Sequence, residues 1–250
     1  MRSPSELLHA RTRVRTRYAL MPLEGFPPSK LPGWPGCDVR VLASPALGAQ
    51  FVQCMIDMPD SACGEYPADD RSESFIYLLS GSAALRSGQD QYTLEAGGFA
   101  FIPHTRSLRL RASAPVKLLL LRKNYEAAAG IEPAGLFVGN ERDVEAAIYM
   151  GNEHARLQTL LPDEMRFDLA MNIFTFAPGH SLPVVETHVM EHGLYFLQGK
   201  GLYYLDNEWM EVQQGDFIWM GPYCPQSFYA TGPAASKYIY YKNVNRDVPL

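Results

Sequence analysis

Gly193-Leu-Tyr-Phe-Leu-Gln-Gly199, followed by Gly215-Asp-Phe-Ile-Trp-Met220, repeats an earlier pair of segments, Phe75-Ile-Tyr-Leu-Leu-Ser-Gly81 and Gly97-Gly-Phe-Ala-Phe-Ile102. Gly81 and Gly97 recur as Gly199 and Gly215, each 118 residues further on. In that register Tyr77 meets Tyr195, Leu79 meets Leu197, Phe99 meets Phe217 and Glu73 meets Glu191. Arg122-Lys123-Asn124 aligns with Tyr241-Lys242-Asn243 once one extra residue is admitted in the second copy. A register kept through two glycine turns points to a duplicated unit. Short apolar or alternating runs bounded by Gly, Pro, Asn and Asp fill both copies, the pattern of a β-sandwich or small barrel. The expected fold class is therefore all-β, with tandem barrels over residues 1–125 and 166–250 joined by a connector over 126–165. Within the connector, Glu141 to Ile148 predicts one short helix and Leu157 to Leu161 a further strand.

A chain of 250 residues can bury one large core or two modest ones. Its net charge of -5 gives a nucleic-acid partner no global electrostatic support. No apolar run approaches the length of a membrane span, and Leu118 to Leu121 is only the signature of a core strand. Arg2, Arg11, Arg13, Arg15 and Arg17 crowd the start without the apolar segment of a secretory signal. They predict a solvated arm, or an edge that packs on a neighbouring subunit. Cys37, Cys54, Cys63 and Cys224 form no C-x-x-C pair, so reduced thiols and a cytoplasmic location are expected.

The chemistry concentrates in Pro183-Val-Val-Glu-Thr-His-Val-Met-Glu-His-Gly193. Glu186, His188 and His192, with Gln226 downstream, offer one carboxylate, two imidazoles and one amide, enough to close a metal site. Positions 186, 188 and 192 share parity, so an extended chain would turn them to one face. The same letters fit H-x-x-E-H, a zinc-protease pattern that needs a helix. Pro183, Val184 and Val185 before it and Gly193 after it argue against a helix. Moving back 118 residues replaces the four donors by Ala68, Asp70, Ser74 and Leu108. One active half and one scaffold half follow. His104, His154 and His180 lack companion ligands and read as surface or hydrogen-bonded histidines. Four N/O donors without sulfur suit Mn(II) or Fe(II), with Ni(II) and Zn(II) also compatible.

With these residues in hand, the chain resembles the bicupins, whose tandem jelly-roll (double-stranded β-helix) barrels hold a metal through two conserved motifs. Glu186-Thr-His188 occupies the H-x-H slot, His192 the Glu slot and Gln226 the final His slot, while Gly199 and Gly221-Pro222 fall at motif positions. Gly179 stands one residue too early for the motif glycine. The order E-x-H-x3-H with a later Gln is similar to that of the (S)-ureidoglycine aminohydrolase family. That resemblance implies a hydrolase of allantoin degradation in purine catabolism, converting (S)-ureidoglycine and water to (S)-ureidoglycolate and ammonia. It implies Mn(II) on Glu186, His188, His192 and Gln226, and substrate contacts from Glu186, Tyr203, Tyr238 and Lys242. Glu186 and Lys242 are the expected catalytic residues, since a barrel interior accepts an ammonium only where an anion awaits it. A small-molecule substrate and a homo-oligomer built through edge strands are the expected partners. An Fe(II) cupin dioxygenase or isomerase and a non-catalytic metabolite-binding bicupin are the alternatives.

Overall fold

The computed structural model describes residues 11–246, so Arg2 and the rest of the first ten residues lie outside the described part. Two compact units emerge, and every strand pairing in them is antiparallel. One comprises residues 27–144 and 165–168, here the N-terminal barrel. Its six-stranded sheet runs, in spatial order, Phe137–Asn140, Gly98–Ile102, Ser72–Ser80, Val116–Asn124, Phe51–Met58 and Asp38–Ala43. A four-stranded sheet of Cys63–Tyr66, Leu108–Ala112, Ser82–Ser87 and Asp90–Glu95 supplies the other layer. The C-terminal barrel has the same plan. Its large sheet includes Tyr18–Met21, Phe217–Met220, His192–Gln198, Ser236–Asn243 and Leu169–Phe176, and its small one Glu208–Gln213, Lys200–Leu205 and Gln226–Ala230.

The repeat is thus a repeat of strands. Ser82–Ser87, Asp90–Glu95 and Leu108–Ala112 recur 118 residues later as Lys200–Leu205, Glu208–Gln213 and Gln226–Ala230. Gly81 and Gly199 explain why the register survives. Both adopt a positive φ, +86° and +79°, and a Cβ would fall 2.3 Å from the Pro115 carbonyl oxygen and 2.8 Å from that of Ala235. Only glycine meets both demands. The last strand departs from the sequence alignment. Ser74 pairs with Arg122 as His192 pairs with Lys242, so Arg122, not Lys123, is the counterpart of Lys242. The loop before that strand holds two more residues in the second copy, 231–235 against 113–115.

The boundaries at 125 and 165 do not describe how strands are shared. Tyr18–Met21 pairs with Phe217–Met220 of the C-terminal barrel, whereas Phe137–Asn140 pairs with Gly98–Ile102 of the N-terminal one. Each repeat therefore lends its leading strand to the other repeat's sheet. Tyr18, Ala19 and Leu20 are all buried, and their pairing covers an edge of Phe217–Met220 that would otherwise expose unpaired backbone groups. The arginines beside it are paired within this chain. Arg11 grips buried Asp216 with both guanidinium nitrogens, Arg17 lies 3.2 Å from Asp206, and Arg15 3.7 Å from Glu208. The helix expected over 141–148 is a single 3-10 turn, Glu141–Asp143. Asn140 accepts from the Arg142 amide at 3.1 Å, and the chain then extends into the strand Ala147–Tyr149. The further strand is present but starts earlier, at Asn152, and ends at Thr159. Among the described residues, no helix is long and apolar enough to cross a membrane.

Candidate active site

In the C-terminal barrel, the strand His192–Gln198 lies between Phe217–Met220 and Ser236–Asn243. His192 opens it, opposite Met220 on one side and Lys242 on the other. Alternation along the last strand then turns Tyr238, Tyr240 and Lys242 to one face. Gln226 begins its own strand opposite Leu205. Glu186 is joined to Gln226 by a two-way backbone pair, N–H to carbonyl at 2.8 Å in each direction. These elements enclose a cavity of about 360 Å³, counting its open mouth. Glu186, His188, His192 and Gln226 all line it, together with Tyr203, Tyr238 and Lys242.

Glu186, His188 and His192 reach one cavity without the extended chain that their shared parity predicts. Residues 187–191 belong to no strand and bend at Val189 and Met190, so that of positions 186, 188 and 192 only His192 lies within a strand. Glu186 is placed by its bridge to Gln226, and His188 by its carbonyl, which accepts from the Tyr223 amide at 2.7 Å. The ring centroids of His188 and His192 stand 5.3 Å apart, and His188 Nε2 lies 3.3 Å from Glu186 Oε2. Among the described residues, no three His, Cys, Asp or Glu side chains are already closed into a metal-holding cluster. The donors share one cavity wall instead. One carboxylate, two imidazoles and an amide oxygen still make a donor set suited to a divalent cation of the Mn(II) or Fe(II) type.

The surroundings set the charge states. Burial pushes the Glu186 carboxyl up, but His188, the Tyr149 hydroxyl and Lys242 outweigh it and hold the group below its ordinary value. His192 is driven well below the usual imidazole range, first by burial and then by the charges of Lys242 and His188. It is neutral, as a ligand nitrogen must be. Burial also lowers Lys242, against the attraction of Glu186. Tyr203 and Tyr238 are pushed well above the phenol value, mainly by burial, and so stay protonated donors. The Tyr203 hydroxyl donates to Gln226 Oε1 at 2.7 Å. Glu191 does not line the cavity, for its Oε2 accepts from Trp219 Nε1 at 3.1 Å.

Five residues that line the cavity were not among the expected site residues: Tyr149, Phe174 and Tyr240, and the apolar Leu194 and Met220. Tyr149, from the connector, donates its hydroxyl to Glu186 Oε1 at 2.6 Å. Tyr240 stands with its ring 6.0 Å from that of His192, and Phe174 forms a hydrophobic wall. Tyr240 is legible in principle, since it sits between Tyr238 and Lys242 at the same spacing. Tyr149 is not, because nothing local separates it from an ordinary edge tyrosine. Among the described residues, the other histidines stay out of the cavity: His104 stacks on Tyr125 at 4.5 Å, and His154 lies against His180 at 3.7 Å.

Relatives match this chain over nearly its whole length. The Cupin domain family model matches residues 172–240, which include every residue lining the cavity except Tyr149 and Lys242. The chain is 35% identical over 238 residues to (S)-ureidoglycine aminohydrolase of Escherichia coli (strain K12), covering 93% of this chain and 90% of that protein. It is 31% identical over 250 residues to (S)-ureidoglycine aminohydrolase of Arabidopsis thaliana, covering 98% and 83%. The crystal structure of protein Ylba from E. coli superposes with a TM-score of 0.85 at 32% identity, covering 100% of both chains. The tandem barrels are therefore those of a bicupin, and the chain belongs to the (S)-ureidoglycine aminohydrolase family.

Proposed function

We propose that this hydrolase replaces the central amine of (S)-ureidoglycine by a hydroxyl, giving (S)-ureidoglycolate and ammonia, at a cation held by Glu186, His188, His192 and Gln226. The observation that carries the proposal is the meeting of those four donors with Lys242 in one cavity. Mn(II) is the leading metal because the family resemblance implies it, and a donor set of nitrogen and oxygen without thiolate suits Mn(II) or Fe(II) and is also compatible with Ni(II) and Zn(II). When bound, such a cation supplies a Lewis-acid anchor for the substrate's carboxylate or amine. The protein's own groups do the rest. Lys242, across the ladder from His192, pairs with the substrate carboxylate. Tyr238 and Tyr203 orient the polar atoms, with the Tyr203 hydroxyl shared with Gln226.

Chemically, the carbon–amine bond breaks with the electron pair leaving on nitrogen, helped by the ureido nitrogen's lone pair. The oxygen of water then bonds to the same carbon. The departing amine gains a proton and the water loses one. Glu186, kept ionised by its partners, is the acceptor for the water's proton, and the lowered Lys242 ammonium is the donor to the amine. Self-association is part of the same reading. The hairpin and loop that carry Tyr149, Glu186 and His188 expose Ile148, Met150, Val184, Val185 and Val189, apolar side chains of the kind an oligomer covers.

The test joins metal analysis of the purified protein to an ammonia assay on fresh ureidoglycine. The wild type should carry a divalent metal and release one ammonia per substrate, and Glu186→Gln should abolish turnover. Oxygen uptake without ammonia would assign a dioxygenase instead. Tight ligand binding without turnover would assign a binding protein.

A further inference from the structure

We infer that Tyr149 is a positioning residue for the metal-binding carboxylate: its hydroxyl holds Glu186 Oε1 and leaves Oε2, which faces His188, for the cation. The inference rests on the metal reading of the site and adds to it a residue from outside the duplicated motif. The backbone is shaped to deliver this one hydroxyl. Ala147–Tyr149 and Asn152–Thr159 form a hairpin whose two central residues, Met150 and Gly151, both have positive φ, +47° and +75°. Positive φ at both places gives the tight turn that matches strand twist. Methionine rarely adopts it, so the fold keeps an unfavourable conformation there for the sake of the geometry.

The strand pairing also slips between Ile148 and Tyr149. Such an irregularity re-aims a side chain, and here the result is a tyrosine pointing into the cavity. Two contacts then lock it. The Tyr149 ring meets Phe174 edge-on, centroids 4.7 Å apart at 85°. Asn152 Nδ2 donates to the Ser181 carbonyl at 3.2 Å, tying the hairpin to the loop that leads to Glu186. A carboxylate that must present one oxygen to a metal needs its other oxygen held, and outer partners of this kind commonly change affinity or activity by about 10–100-fold.

The test titrates Mn(II) alone into metal-free full-length protein, following the electron paramagnetic resonance signal of the unbound ion. Tyr149→Phe keeps the ring against Phe174 and removes only the hydroxyl. Its Mn(II) affinity should fall about tenfold, its metal-free unfolding midpoint should stay near that of the wild type, and excess Mn(II) should restore ammonia release. Phe174→Leu loosens the ring's seat but keeps the hydroxyl, so its affinity should fall between the two. Unchanged affinity in both variants, with affinity lost in Glu186→Gln, overturns the role of Tyr149 and leaves the metal site standing. A lowered unfolding midpoint with unchanged affinity reduces Tyr149 to a structural residue and overturns it too. If Glu186→Gln also binds Mn(II) normally, the metal reading itself fails and takes this inference with it.

Discussion

The two barrels place different chemistry on the same strands. Where the C-terminal barrel has His192, Lys242, Tyr240, Tyr238 and Tyr203, the ladders of the N-terminal barrel put Ser74, Arg122, Leu120, Leu118 and Leu85. Gln226 is matched by Leu108. The inner core cluster of the N-terminal barrel is almost wholly aliphatic, with Trp34 its one fully buried aromatic member, while Phe51, Phe75, Phe99 and Phe101 are buried outside that cluster. The other packs Phe174, Phe176, Phe196, Phe228, Tyr203 and Tyr238 around its cavity. Leucines close an interior, because branched hydrocarbon fills space and demands nothing polar in return. Tyrosines hold one open: each brings apolar area for the wall and a hydroxyl for the wet centre. Replacing a few side chains thus converts a scaffold into a site without disturbing the frame. Arg122 shows the same divergence. It lies over the Tyr66 ring at 3.7 Å and reaches Asp69 at 3.5 Å, whereas Lys242 faces the cavity.

Paired substitutions at matched positions would break or sharpen this contrast. The largest effect is expected at the first strand of the site. His192→Ala should reduce ammonia release below detection and remove tight metal binding, while Ser74→Ala should leave both unchanged. Equal losses in the two variants would mean that the N-terminal barrel also takes part in the chemistry. Next comes Leu120→Ala, which empties a filled interior and should cost about 2–5 kcal/mol of stability in denaturant unfolding. Turnover per folded molecule should hold. A neutral outcome would show that the aliphatic core tolerates a cavity as the tyrosine-lined one does. The smallest effect is expected at Lys242→Met, where solvent at the open mouth can still protonate the amine and one charge-assisted hydrogen bond, worth about 1.5–3 kcal/mol, is lost. That corresponds to a fall in kcat/KM of roughly 10–100-fold. Arg122→Met should not alter kcat/KM, and a matching fall there would erase the functional distinction between the two strands.

The duplication was legible because turns are written locally. Gly81, Gly97, Gly199 and Gly215 all require positive φ, and a residue type that is nearly obligatory leaves its mark in the letters. The gathering of Glu186, His188, His192 and Gln226 in one cavity was legible for a similar reason, since side chains able to bind a metal are few, the first three are closely spaced and Gln226 follows the second glycine turn. Strand exchange was not legible. Tyr18–Met21 and Phe137–Asn140 are four-residue segments whose letters favour neither sheet, and only the competition between pairings selects the partner. The helix expected over 141–148 failed on the same ground. Its residues accept a helix when taken alone, but the strand pairing of Ala147–Tyr149 with Asn152–Thr159 prevailed. The alignment that matched Lys123 with Lys242 followed lettering, whereas the ladder followed loop length.

Sequence alone determined the duplicated all-β frame, the asymmetry of donors between its halves and the identity of the residues that gather in the second. Tertiary structure decided which backbone brings them together, by a bridge between Glu186 and Gln226 in place of one straight strand. It also decided that Tyr149 would meet Glu186 from 37 positions away in the chain. The division has a physical cause. Turns and ligand types are constrained residue by residue, whereas pairing and convergence depend on contacts between distant segments whose energies no single segment carries.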